Sequence, residues 1–145
     1  MSKVEPKRVD EVPATTGIPK HWENPIKPER FEGKHQSDLA KQTGVIQFGV
    51  NQVTLEPGAW SSLRHWHEGE DEFVYVLEGK LTLVNENGEH EMKSGAFVGF
   101  AAGVPNAHHL VNYSAESTTF LVVGSCKPGE DVCHYPDEEL GPIKR

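Results

Sequence analysis

A chain of 145 residues is sized for one domain, and its 36% apolar and 25% charged residues are an ordinary mix for a globular protein. A net charge of −8 and a pI near 5.4 argue against nucleic acid or an anionic membrane as partner. No apolar run is long enough to span a bilayer, and residues 1–25 lack the apolar stretch of a signal peptide. The cytoplasm is therefore the expected compartment, with Cys126 and Cys133 as free thiols.

Residues 1–41 hold five of the ten prolines, many charges and no sustained periodicity. They read as an extended Pro-rich arm, because such a segment cannot form a central strand or a helix interior. Trp22, Ile26 and Phe31 are apolar anchors by which the arm would drape over its own subunit or a partner's; a disordered recognition motif is the alternative. His21 and His35 are expected at the surface. Residues 42–145 read as a single β domain ending in a coil. Its strands are expected over Val45 to Leu55, Ser62 to His67, Glu72 to Leu77, Leu81 to Val84, Glu89 to Met92, Ala96 to Phe100, Ala107 to Asn112 and Thr118 to Val123. Asn87-Gly88 predicts a hairpin with a type I′ turn. After Ser125 the chain is polar and Pro-rich, and Tyr135 is its expected anchor. Short strands at regular spacing with Gly, Pro and Asn turns imply a sandwich or barrel.

The chemistry concentrates between Arg64 and Gly79. On a strand, His65 and His67 face one side with Cα atoms roughly 7 Å apart, close enough for two imidazoles to meet one metal ion. A short link then returns Glu72 beside them, and imidazoles with a carboxylate suit a divalent first-row metal. His108 and His109 are adjacent, so at most one of them joins that face, and periodicity does not choose between them.

These residues resemble two motifs of the cupin superfamily. Gly58, His65, His67, Glu72 and Gly79 match the first motif; Gly95, Ala101-Ala102-Gly103, His108 and Asn112 match the second, with the histidine two residues late and Asn106 in its usual place. The resemblance spans Gly49 to Gly124. It implies an all-β double-stranded β-helix, the jelly-roll or cupin barrel. It also implies a metal held by His65, His67, Glu72 and His108, with a homodimer as the common assembly. Some small single-domain cupins of this kind carry a provisional sugar-phosphate isomerase label. The metal would be one divalent transition ion: Zn, Fe, Mn, Ni or Co. Val74, Val76, Leu110 and Asn112 share strand faces with these ligands and are the expected pocket lining for a small-molecule substrate.

Three functions fit. The first is a metal-dependent enzyme acting on a small polar organic molecule by isomerase- or epimerase-like Lewis-acid chemistry. An iron-dependent dioxygenase is the second, and a non-catalytic module that binds a sugar or organic acid is the third. No Lys or Arg falls among the expected inward positions, which weighs against a phosphorylated substrate. Phe73, Tyr75 and Leu77 should form an outward apolar stripe, while Trp66 and Arg64 point away from the histidines and His90 faces solvent.

Overall fold

The computed structural model describes residues 4–18, 26–138 and 140–145. Among these residues the chain forms β1 (Thr15–Thr16), β2 (Lys34–Asp38), β3 (Phe48–Leu55), β4 (Trp66–His67), β5 (Glu72–Glu78) and β6 (Lys80–Asn85). Then come β7 (Gly88–Lys93), β8 (Phe97–Phe100), β9 (His109–Val111), β10 (Thr118–Ser125), β11 (Val132–His134) and β12 (Ile143–Lys144). A six-stranded sheet has the order β1-β2-β3-β10-β5-β8, and two three-stranded sheets have the orders β7-β6-β9 and β12-β11-β4. Every paired neighbour is antiparallel.

Alternation along the strands decides what lies inside. Val74 and Val76 of β5 are buried, whereas Phe73, Tyr75 and Leu77 between them are exposed. Val53, Leu55, Val74, Val76 and Phe120 from the large sheet meet Leu81, Leu83, Met92 and Leu110 from the second in one buried cluster. Strand β10 lies between β3 and β5, although it comes last of the three in the chain. Two antiparallel sheets with such crossovers, closed on one apolar interior, make the expected jelly-roll barrel.

Several local expectations are corrected. The polar run Lys34–Asp38 has no apolar alternation, yet it is a strand, because β3 supplies its ladder from Lys34 opposite Leu55 to Asp38 opposite Asn51. Part of the expected arm is thus a strand of the large sheet. The expected C-terminal coil contains β11 and β12, and β11 pairs with β4. The strand expected over Ser62 to His67 is regular only at Trp66–His67. The hairpin at Asn87-Gly88 forms, but Asn85 pairs with Gly88 and the loop is Glu86-Asn87. Asn87 has no positive φ, so the turn is not type I′; Gly88 takes φ +108° instead, and the Asn85 side chain accepts from the Asn87 N–H at 2.9 Å. The unusual backbone angle falls on the residue without a Cβ.

Of the arm's anchors, Ile26 and Phe31 are buried against Leu63, with Trp60 and Tyr135 around them. They pack on their own chain, and burial of the Phe31 ring contributes about 2–3 kcal/mol. Trp22 and His21 lie outside the described residues.

Candidate metal centre

Two backbone hydrogen bonds set the geometry. The His65 N–H donates to the His108 carbonyl at 3.1 Å, and the His108 N–H donates to the His65 carbonyl at 2.9 Å. Residues exchanging both bonds across an antiparallel pair send their side chains to the same face. The two rings accordingly meet with centroids 4.9 Å apart. This settles the choice that periodicity left open: His109 turns its ring edge to Trp60, 4.5 Å away, and bonds through Nδ1 to the Ser62 carbonyl. Glu72 opens β5, where its Oε1 lies 2.7 Å from His108 Nε2 and 3.7 Å from His65 Nε2. Opposite Glu72 in the ladder stands Phe100, whose ring stacks on His108 at a centroid distance of 3.4 Å.

The ligand atoms of His65, Glu72 and His108 all lie within 4.8 Å of one another. His67 stands edge-on to His65 at 4.9 Å between centroids and belongs to a second such set, with His65 and the Cys133 thiol. Three of the four expected ligands converge directly, and the fourth abuts one of them. Asn106, at the usual position of the second-motif histidine, faces elsewhere: it binds Glu86 and Asn87 in the β6–β7 loop.

Each of the three imidazoles has an oxygen acceptor at Nδ1. His65 has the Leu63 carbonyl at 2.7 Å, His108 the Asn106 carbonyl at 3.1 Å, and His67 the Asp131 carboxylate at 2.7 Å. A neutral imidazole whose Nδ1–H donates outward keeps its lone pair on Nε2, the form a metal needs. The Asp131–His67 pair is the carboxylate–histidine arrangement that orients metal ligands. The residues present therefore fit a divalent first-row ion.

Burial opposes the charge on Glu72, but its bonds to His108 and His65 win, and its carboxyl is held well below the usual range. Burial likewise opposes protonation of His65, and the bond to Glu72 outweighs it, so its pKa is raised. Both shifts favour the charged form of the group concerned, a His65 imidazolium facing a Glu72 carboxylate.

The cluster opens into a cavity of about 550 Å³, a size suited to a small molecule. Val74 and Leu110 line it, as expected. Val76 instead sits wholly inside the apolar core. Asn112 is also buried away from the cavity, where its amide ties Leu55 and Glu116 together. The spare carboxylates near the mouth are committed to the backbone: Glu70 to the Lys127 N–H and Asp71 to that of Ala102.

Three features of this site were missed in the sequence. Asp131 is 1% exposed and holds both His67 and the Gly69 N–H; burial raises its pKa, but these two bonds outweigh it and the carboxyl is held low. Cys133 is buried, and burial pushes its thiol up to about 11, which keeps it protonated. Tyr135 lines the cavity with its ring 5.9 Å from His65. Their period-two spacing was the available signal. The expectation of no inward cation is also overturned, since Lys34 and Arg145 both line the cavity. As for Arg64 and Trp66, Arg64 pairs with Asp137 and Glu86, and Trp66 stacks on His134. His35 binds Glu56, and His90 is exposed.

The fold and the two-motif site together define a cupin. The cupin domain family matches residues 51–124, and the chain belongs to it. A sugar phosphate isomerase of the cupin superfamily from Silicibacter pomeroyi is similar at 39% identity and a TM-score of 0.83, over 97% of this chain and 92% of that one. A candidate sugar phosphate isomerase from Acidithiobacillus ferrooxidans is 31% identical with a TM-score of 0.68, over 83% and 80% of the two chains. The polyketide cyclase RemF from Streptomyces resistomycificus, 21% identical over 86% and 81% of the chains at a TM-score of 0.65, shares the fold. No protein of curated function matches the chain. Among the described residues no helix is long and apolar enough to cross a membrane.

Proposed function

We propose that this cupin is a metal-dependent isomerase of a small hydroxy-carbonyl compound, with His65, His67, Glu72 and His108 as metal ligands. The observation that carries the reading is that His65 and His108 meet the Glu72 carboxylate with His67 beside His65, all three imidazoles held by Nδ1 acceptors, at the wall of a cavity of small-molecule size. The names of the two relatives above 30% identity point the same way. A bound ion would supply Lewis-acid polarisation of a carbonyl. The chain's own residues do the rest: Asp131 fixes the His67 tautomer, Phe100 clamps the His108 ring, and Val74 and Leu110 keep the substrate's reacting end dry. Elemental analysis of protein purified without chelator should find one divalent transition ion per chain. Incubation with aldose and ketose phosphates in D₂O should give deuterium at the carbon beside the carbonyl, by NMR. Mass-neutral conversion supports the reading; oxygen consumption, or binding without product, overturns it.

We also infer a homodimer working in the cytoplasm. Phe73, Tyr75 and Leu77 are each about two-fifths exposed on the outer face of the large sheet, and Phe97 stacks on Phe73 with 66% exposure. A second copy is the simplest cover for that stripe. The free thiols Cys126 and Cys133 suit a reducing compartment. Sedimentation at micromolar concentration should give a dimer that Tyr75→Glu dissociates.

A further inference from the structure

The barrel interior is apolar on most of its walls, yet the cavity has a further polar patch besides the histidine cluster. On β2, Lys34 and Gln36 share a face, and both line the cavity together with Asn51 of β3. The Gln36 side-chain N–H donates to Asn51 Oδ1 at 3.0 Å, which turns the two amides into one unit. Asn51 Nδ2 and the Lys34 ammonium make no hydrogen bond or ion pair among the described residues. These are donors facing a cavity without an acceptor. Val53 and Val74 of the same sheet also line the cavity and are apolar, so the polar character of this wall is local to Lys34, Gln36 and Asn51. Burial lowers Lys34 to about 8, against the pull of Glu72. The Glu72 charge is already engaged by His65 and His108. Glu72 therefore leaves Lys34 in need of a counter-charge.

We propose that Lys34, Gln36 and Asn51 form the subsite that takes the anionic group of the substrate, a phosphate ester or a carboxylate. This rests on reading the cavity as the substrate cavity and is independent of the reaction performed there. The ammonium supplies the charge, the Asn51 amide adds a directional donor, and Gln36 holds that amide in place. The patch on β2 and β3 and the histidine cluster line one cavity, so a substrate that meets both presents an anionic end and a reacting end. A neutral sugar of the same size satisfies only one of them.

Calorimetric titration of the full-length protein with inorganic phosphate and, separately, acetate distinguishes the two chemistries. Binding of either supports the subsite, and the tighter one names the source. Lys34→Met should weaken that binding about tenfold or more, while Lys34→Arg should keep it within about threefold. Asn51→Leu should weaken it by a smaller factor, which guards against misfolding of a single variant. Unchanged binding in Lys34→Met, or no binding of either anion, overturns the proposal and leaves the isomerase reading standing. Loss in Lys34→Met alongside absent turnover leaves the subsite standing and removes the isomerase.

Discussion

Replacing Asp131 with Asn isolates what the second layer of the site contributes. The carboxylate is buried with two donors on it, the His67 Nδ1–H at 2.7 Å and the Gly69 N–H at 2.9 Å. An amide has a single acceptor oxygen and would aim its NH₂ at one of those donors. Hydrogen bonds to a charged group contribute about 1.5–3 kcal/mol each, so losing one and weakening the other should destabilise the metal-free fold by about 2–3 kcal/mol in urea. The His67 ring would also lose its fixed tautomer. Loss of such an orienting partner lowers metal affinity about 10–100-fold, equal to about 1.4–2.8 kcal/mol at 25 °C. Competition between the protein and a chromophoric chelator for Zn²⁺ at pH 7 reads this directly. Acid denaturation gives a second signature. The Asp131 pKa is depressed on folding, so its stabilisation is present above about 3.8 and is lost as pH falls through the folded value. The variant should therefore lose part of the acid limb of the stability curve. Zn²⁺ affinity within threefold of the unaltered protein would refute the claim that Asp131 orients a ligand.

The raised pKa of His65 makes metal binding a competition with a proton. Metal affinity should climb with pH through and above 6.5 and level off once His65 is neutral, whereas metal-free stability that depends on the His65–Glu72 pair should decline over the same range. Titration of Zn²⁺ at several pH values checks the first sign, and urea unfolding of the metal-free protein at the same pH values checks the second. Phe31→Ala removes a ring that is 1% exposed and should cost about 3–5 kcal/mol in urea unfolding, with the metal centre intact. Gly79→Ala places a Cβ 2.9 Å from the Ser117 carbonyl at φ +86°; it should lose about 2 kcal/mol or more, read as a lowered Tm.

Much of the body is legible in the sequence, because a strand with one wet face writes its own alternation. Val74 and Val76 against Phe73, Tyr75 and Leu77 is such a case. Pairing between distant segments leaves no comparable mark. Lys34 to Asp38 is polar throughout and becomes a strand only because β3 offers its edge, so the inward face of that segment could not be assigned. The two cavity-lining cations escaped notice for the same reason: one sits on this polar strand and the other lies beyond β12, in what read as coil.

At the metal site the division is similar. Sequence alone determined that His65 and His67 share a face, that Glu72 returns beside them, and that a cupin-like second motif brings a third histidine. The first two are consequences of local period and spacing, which are properties of the chain itself, and the third is what the motif resemblance implies. Period left His108 and His109 equivalent and only the motif resemblance implied His108; tertiary structure supplies the physical reason, reciprocal backbone bonds between His65 and His108 that turn His108 inward. It also decided that Asp131 supports His67 and that Lys34 faces the cavity. Each of these depends on which backbone edges meet. That is settled by closing the whole barrel around its apolar core and cannot be read from any single stretch of it.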